Sequence, residues 1–243
     1  ARHLSVLKTS SCLDDFVDFI VENPASAIYT KHLSVYHGAW TPQSRINWQL
    51  HPLLVGKEGI AIGTRLDQAA DKAFCRYKEF IETERQTPLR NYRKKVYRLL
   101  QLFPCLSRLT IGHLNKYRWR GIRKPQYAKL IGKIWLLPKL EDNIEEAIQI
   151  ILPTLNSLPN ITHIDLEGTF APPSWPTQSY KYITSLTINP LLVRESHEEK
   201  AIEFLSQFPR LQRLSISLSP ARLTCLPLGK LLFPRLIYLK IEN

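Results

Sequence analysis

Phe-Pro-Arg-Leu-Gln-Arg-Leu-Ser-Ile occupies residues 208–216, and Phe-Pro-Arg-Leu-Ile-Tyr-Leu-Lys-Ile occupies residues 233–241. Segments 103–111 and 158–166 share this pattern of a large apolar residue, Pro, and three spaced aliphatic residues. Pro ends a preceding helix and places the residue before it in extended geometry. The last two aliphatic residues alternate, so they lie on one face of a strand. Each segment therefore predicts a short strand with one buried face.

Weaker copies without the Pro lie at residues 2–6, 31–35, 131–136 and 183–188. The middle aliphatic residues of the eight copies are Leu4, Leu33, Leu109, Ile134, Ile164, Leu186, Leu214 and Leu239. Their spacings are 29, 76, 25, 30, 22, 28 and 25 residues. All but one agree with the period of leucine-rich repeats, roughly 20–29 residues, to within a residue. The long step predicts an insertion.

Helical patterns fill the connections between these segments. Apolar residues recur at helical spacing in 13–22, 143–155 and 201–208, and Ser10 and Ser11 are candidate caps of the first helix. Strand, helix and strand in one direction build a right-handed parallel sheet. The sequence therefore predicts an α/β fold. We expect a leucine-rich-repeat-like curved solenoid with a parallel β-sheet on the concave face and helices and loops on the convex face.

A chain of 243 residues is ordinary for one domain. We expect a single solenoid domain over residues 1–243, with a helical insertion at about 38–102. Apolar stripes predict two helices in the insertion, at 64–84 and 89–102. The glycine-rich run before them lacks the Gly-Lys-Ser/Thr of a phosphate loop and predicts a turn.

Composition excludes several classes of protein. With 44% apolar and 22% charged residues, the chain is not disordered. The longest uncharged run, 147–164, is broken by Pro and Asn, so no membrane span and no membrane partner are expected. Four cysteines lack metal-site spacing, and two disulfides are the alternative to buried free thiols. We expect free thiols and an intracellular protein of the cytoplasm or nucleus. The cysteines are Cys12, Cys75, Cys105 and Cys225.

The Phe-Pro-x-Leu-x-x-Leu-x-Ile copies, with the segments Arg-His-Leu at 2–4 and Lys-His-Leu at 31–33, resemble the leucine-rich-repeat region of fungal F-box proteins. The resemblance covers about residues 1–37 and 100–243. Such proteins join an F-box, which docks on a ubiquitin-ligase scaffold, to repeats that hold a substrate. The resemblance implies a non-enzymatic protein–protein interaction module that serves as a ubiquitin-ligase substrate receptor. The F-box itself is absent from this chain, so scaffold docking is not assigned to its residues.

Residues between the buried aliphatic positions fall in two columns on the predicted concave face. The first is His3, His32, Arg108, Lys133, His163, Ser185, Arg213 and Tyr238; the second is Ser5, Ser34, Thr110, Trp135, Asp165, Thr187, Ser215 and Lys240. Two interpretations stay open: a recognition strip for an acidic or polar protein surface, or the polar residues of any exposed sheet. The candidate protein-binding residues are His3, His32, Arg108, Lys133, Trp135, His163, Asp165, Arg213, Tyr238 and Lys240.

Residues 85–133 contain 14 of the 33 Lys and Arg residues and no Asp or Glu, so the net charge of +12 is concentrated there. Tyr and Trp are interleaved with the cations, which suits phosphate contacts and base stacking. Nucleic-acid binding is therefore the alternative function. A solvated face or an acidic protein partner explains the same residues. The candidates are Arg90, Arg93, Lys94, Lys95, Lys116, Arg118, Trp119, Arg120, Arg123 and Lys124.

No catalytic pattern is found. The run 197–200 lacks the second His of a zinc-protease helix, and no Gly-x-Ser-x-Gly is present. Acidic pairs at 14–15, 145–146 and 198–199 lie at predicted helix starts, where they favour the helix dipole. We therefore expect no catalytic residues, no metal and no cofactor.

Overall fold

The computed structural model describes residues 2–37, 44, 64–113, 144–170, 178–191, 198–218 and 233–242. The chain divides into two compact units. The first contains Ala1–His37, Leu89–His113 and Asp142–Asn243, and the second contains Gly38–Pro88 and Leu114–Glu141. Residues 89–102 thus lie in the first unit.

The first unit is built on an open seven-stranded parallel sheet whose strands follow chain order. The predicted α/β architecture with a parallel sheet is confirmed. The strands are β1 (Arg2–Leu7), β2 (Thr30–His37), β3 (Arg108–His113), β4 (His163–Phe170), β5 (Ser185–Leu191), β6 (Arg213–Leu218) and β7 (Tyr238–Glu242).

The register of the sheet follows the sequence repeat. Seven of the eight predicted middle aliphatic residues form one row across the strands: Leu4, Leu33, Leu109, Ile164, Leu186, Leu214 and Leu239. The eighth segment, 131–136, lies outside the described residues. Because β3 pairs directly with β4, no strand stands between Leu109 and Ile164. The prediction of a strand containing Ile134 between β3 and β4 is therefore wrong.

A tight turn leads into each of the last five strands. The amide of Leu106 donates to the carbonyl of Phe103 at 3.2 Å, and the equivalent bond recurs in the next four turns. Pro suits the second position of such a turn because its φ is already fixed near the required value. The turn from Tyr180 to Ile183 has no Pro and forms the same bond at 3.2 Å. The Pro therefore favours this turn without being required for it.

The helices largely match the predicted ones. They are α1 (Ser10–Glu22), α2 (Pro24–Ile28), α3 (Thr64–Gln86), α4 (Leu89–Gln101), α5 (Glu145–Ile151) with a following 3-10 helix (Leu152–Ser157), and α6 (Glu198–Ser206). The N-cap of α1 is Thr9, whose hydroxyl accepts from the Cys12 amide at 3.1 Å, rather than the predicted Ser10 or Ser11.

The core of the first unit lies between one face of the sheet and the helices. Aliphatic residues of the inward rows and the apolar sides of α1, α4, α5 and α6 join in one buried cluster. Removal of this apolar surface from water is the main stabilising contribution. Representative members are Phe16, Leu33, Leu99, Ile111, Ile148, Ile188 and Phe204.

Cys12, Cys75 and Cys105 are reduced and form no disulfide. Only Cys12 is buried, so the prediction of buried thiols is wrong for Cys75 and Cys105. Cys225 lies outside the described residues. In the part of the chain that the structure describes, no helix combines the length and the apolar character needed to cross a bilayer.

Candidate functional site

Two polar rows run along the sheet on the side away from the core. One row is His3, His32, Arg108, His163, Ser185, Arg213 and Tyr238, and the other is Ser5, Ser34, Thr110, Asp165, Thr187, Ser215 and Lys240. We refer to the surface formed by these rows as the polar face. Lys133 and Trp135 were predicted to stand in these rows between β3 and β4. Because β3 pairs directly with β4, no row position lies between them, and both residues lie outside the described residues.

An ion pair holds the middle of the polar face. Arg108 Nε donates to Asp165 Oδ2 at 2.6 Å, and Nη2 donates to Oδ1 at 3.1 Å. The Thr110 hydroxyl also donates to Asp165 Oδ2, at 3.2 Å. The Asp165 side chain is 7% exposed and that of Arg108 is 53% exposed. The hydrogen bonds to Asp165 raise the pKa of Arg108. This bidentate pairing compensates the cost of burying the Asp165 carboxylate.

Two stacked histidines extend this network toward β1. The rings of His3 and His32 are 3.9 Å apart and 5° from parallel. His32 Nε2 lies 2.8 Å from Thr110 Oγ1, and His3 Nε2 lies 2.8 Å from Ser34 Oγ. Because the Thr110 hydroxyl gives its single proton to a carboxylate, His32 donates from Nε2. Burial, followed by the charges of His3 and Arg108, lowers the pKa of His32 to about 4. His32 is therefore neutral at pH 7.

The β1–β4 part of the polar face is a hydrogen-bonded network that differs from a catalytic triad. A catalytic triad needs a carboxylate that orients the imidazole. Asp165 instead accepts hydrogen bonds from Arg108 and Thr110. Within the described ranges, His, Cys, Asp and Glu side chains form no group of three suited to a metal ion. The arrangement provides a rigid polar surface.

The β5–β7 part of the polar face carries an exposed arginine. The guanidinium of Arg213 lies 5.9 Å from the centre of the Tyr238 ring. Lys240 pairs with Glu242 at 2.6 Å, and this contact raises the pKa of Lys240. His163, at the start of the neighbouring β4, is also exposed, and its Nδ1 lies 2.8 Å from Thr162 Oγ1. This part of the face therefore offers cationic and aromatic groups to a partner.

The described part of the basic tract lies mainly on α4, where several side chains serve packing. Arg93 Nη2 donates to the Gln149 carbonyl at 3.1 Å, and Lys95 Nζ pairs with Asp14 Oδ2 at 2.5 Å. Tyr92 is 3% exposed and is therefore unavailable for base stacking. Two other candidates on α4, Arg90 and Lys94, are exposed. Lys116, Arg118, Trp119, Arg120, Arg123 and Lys124 lie outside the described residues.

Sequence reasoning missed a buried polar cluster at the carboxyl ends of β1–β3. Lys8 Nζ pairs with Glu146 Oε1 at 2.7 Å, and His37 Nε2 lies 3.8 Å from Glu146 Oε2. The His37 and His113 rings are 6.5 Å apart. Burial, with Lys8 and His113, holds the pKa of His37 well below its usual value. The sequence signal is a polar residue two positions after the last buried aliphatic residue of β1, β2 and β3, which are Val6, Val35 and Ile111.

The comparisons with known proteins add no relative. The chain matches no protein-family model, no curated protein and no solved structure. The functional argument therefore depends on the geometry and the charges of the first unit.

Proposed function

We propose that the chain is a non-enzymatic protein-binding module and that the polar face is its binding surface. One observation carries this proposal: seven strands in a single register align two continuous rows of polar side chains. The concave sheet of a repeat solenoid is its usual binding surface. We propose that this sheet is such a surface in a leucine-rich-repeat-like solenoid.

The internal bonding of the polar face supports recognition of a protein. Preorganised side chains lose little conformational freedom on binding, which lowers the cost of association. Arg108, Thr110 and Asp165 are already fixed by hydrogen bonds. Exposed Arg213 and Tyr238 are of the residue types that contribute most to protein interfaces. The partner proposed is therefore a protein with an acidic or polar surface.

The resemblance to fungal F-box proteins extends this proposal. On that resemblance, the bound protein is the substrate of a ubiquitin ligase, and the chain supplies the substrate-binding repeats. This extension is supported by the sequence pattern alone.

A steric block of the polar face tests the proposal. Thr187 lies in the second polar row, between Asp165 and Ser215 in the register. Thr187→Tyr fills the face with a bulky residue, keeps the charge, and suits a strand. The matched control, Asn91→Tyr, places the same side chain at an exposed position of α4. Proteins captured by the full chain are identified by mass spectrometry and then purified for direct titration.

The expected result is that a purified partner binds the wild-type chain and the Asn91→Tyr variant but not the Thr187→Tyr variant. Both variants must unfold in urea at the wild-type midpoint for the comparison to hold. If Thr187→Tyr unfolds at a lower midpoint, it is replaced by a variant that combines the smaller substitution Thr187→Val with Ser215→Tyr, which blocks the next position of the same row. The proposal is wrong if every purified partner binds all polar-face variants as tightly as it binds the wild type.

A further inference from the structure

A group of four cations lies at the amino ends of β5–β7. Lys181, Arg210 and Arg235 belong to the turns that precede these strands, and Arg213 is the first residue of β6. All four side chains are exposed. We refer to these residues as the basic turn cluster. They are spread over 55 positions of the sequence, so only the stacking of repeats brings them together.

Backbone hydrogen bonds hold the three turns side by side. The amide of Gln212 donates to the Thr184 carbonyl at 2.8 Å, and the amide of Ile237 donates to the Gln212 carbonyl at 2.8 Å. Successive turns therefore occupy equivalent places along the sheet edge. Since neighbouring strands are about 4.8 Å apart, the three turns span about 10 Å.

The basic turn cluster has no acidic counterpart in the described part of the chain. Two carboxylates of the same sheet are already engaged in ion pairs: Asp165 with Arg108, and Glu242 with Lys240. Aromatic rings support two of the cations instead. Lys181 Nζ lies 5.0 Å from the centre of the Tyr182 ring, and Arg213 lies over Tyr238. The cluster thus presents uncompensated positive charge at one end of the polar face.

We propose that the basic turn cluster binds an acidic segment of the protein partner, with side-chain carboxylates seated on the arginine forks. This inference rests on the proposed function and assigns a chemical class to the partner. The planar guanidinium of arginine matches a carboxylate through two parallel hydrogen bonds. In an extended segment, alternate side chains are about 7 Å apart, so two carboxylates fit the width of the cluster.

The width of the basic turn cluster and the position of its tyrosine rings favour a peptide over a nucleic acid as the ligand. Nucleic-acid binding at physiological salt draws on many phosphate contacts, roughly six to ten in strong binders, whereas this cluster is three turns wide. Base stacking also needs open aromatic faces. The faces of Tyr182 and Tyr238 each lie against a cation of the cluster.

Fluorescence anisotropy of the full chain with labelled peptides tests the inference. The probe is a short peptide of alternating Glu and Ser, and its control has Gln in place of Glu. The test variant is the double substitution Arg210→Gln with Arg235→Gln. The matched control, Lys31→Gln with Arg98→Gln, removes the same charge from exposed positions of β2 and α4, and neither residue is a candidate binding residue.

We expect the wild type to prefer the Glu peptide over the Gln peptide. Loss of two surface charge contacts of about 0.7 kcal/mol each corresponds to about tenfold weaker binding by the test variant. The control variant is expected to remain within about twofold of the wild type, because its lost charge acts only at long range. A labelled single-stranded oligonucleotide serves as the competing ligand class.

The inference is overturned by equal weakening in both double variants, by equal affinity for the two peptides, or by a preference for the oligonucleotide. These outcomes are separable from failure of the proposed function. If the Thr187→Tyr variant loses the protein partner while the Arg210 and Arg235 variant keeps it, the polar face binds a protein and only the acidic-segment assignment is wrong.

Discussion

Replacement of Arg108 by Ala is expected to destabilise the protein more than replacement of Asp165, although the two form one ion pair. Arg108→Ala leaves a carboxylate that is 7% exposed, with a hydroxyl as the remaining donor. Breaking a buried pair in this way costs about 3 kcal/mol, the lower end of the usual range. Asp165→Ala leaves a guanidinium that is 53% exposed and that water solvates. We expect a loss of about 1.5 kcal/mol there.

Urea unfolding of the full chain, followed by circular dichroism, measures both effects. In the double variant, the destabilisation should equal that of Asp165→Ala alone, because Arg108 has no buried charge left to compensate. Lys240→Ala is the control, since this residue belongs to an exposed pair, and its unfolding midpoint should not change. If Asp165→Ala costs as much as Arg108→Ala or more, the asymmetric burial does not govern the energetics of this pair.

Three further predictions concern stability and use the same urea assay. Leu186→Ala, at a residue that is 1% exposed, should lower the free energy of unfolding by about 3 kcal/mol. Leu239→Ala, at a residue of β7 that is 47% exposed, should lower it by less than half of that value, and equal losses would contradict a dependence on burial. The free energy of unfolding should fall from pH 6.5 toward pH 4, because the pKa values of His32 and His37 are lowered in the folded protein and the unfolded chain therefore binds protons that the folded protein excludes. His37→Gln should flatten this pH dependence, and a flat wild-type profile would refute the argument. Thr9→Ala should cost about 1 kcal/mol because it removes the cap of α1, while Thr9→Ser should retain most of it.

Much of the sheet was predictable because each strand is specified locally. Two alternating aliphatic residues define the buried face of a strand, and a turn-forming Pro sets its start. The register of Leu33 with Leu109 followed from the repeat despite the long step between them. Segment 131–136 shows the limit of this approach. A six-residue apolar pattern does not determine whether a segment joins a particular sheet.

The polar rows were predictable, but the bonds within them were not. The register placed Arg108 beside His163 and Thr110 beside Asp165. The diagonal bond from Arg108 to Asp165 depends on side-chain rotamers, which the sequence does not specify. The basic turn cluster was missed for a related reason. Arg213 was predicted as a row residue, but Lys181, Arg210 and Arg235 belong to turns at positions where the repeat pattern does not specify a cation.

The long connection between β2 and β3 affects the entropic cost of forming the sheet. Ser107 bonds to Lys31 across 76 residues of chain, whereas Thr184 bonds to Thr162 across 22. The entropic cost of closing a flexible loop rises with the logarithm of its length, so the longer closure adds only about 1 kcal/mol. Changes in the length of this connection outside α4, whose apolar side belongs to the core, are therefore inexpensive in closure entropy, and a foreign domain grafted there would leave the neighbouring strands aligned.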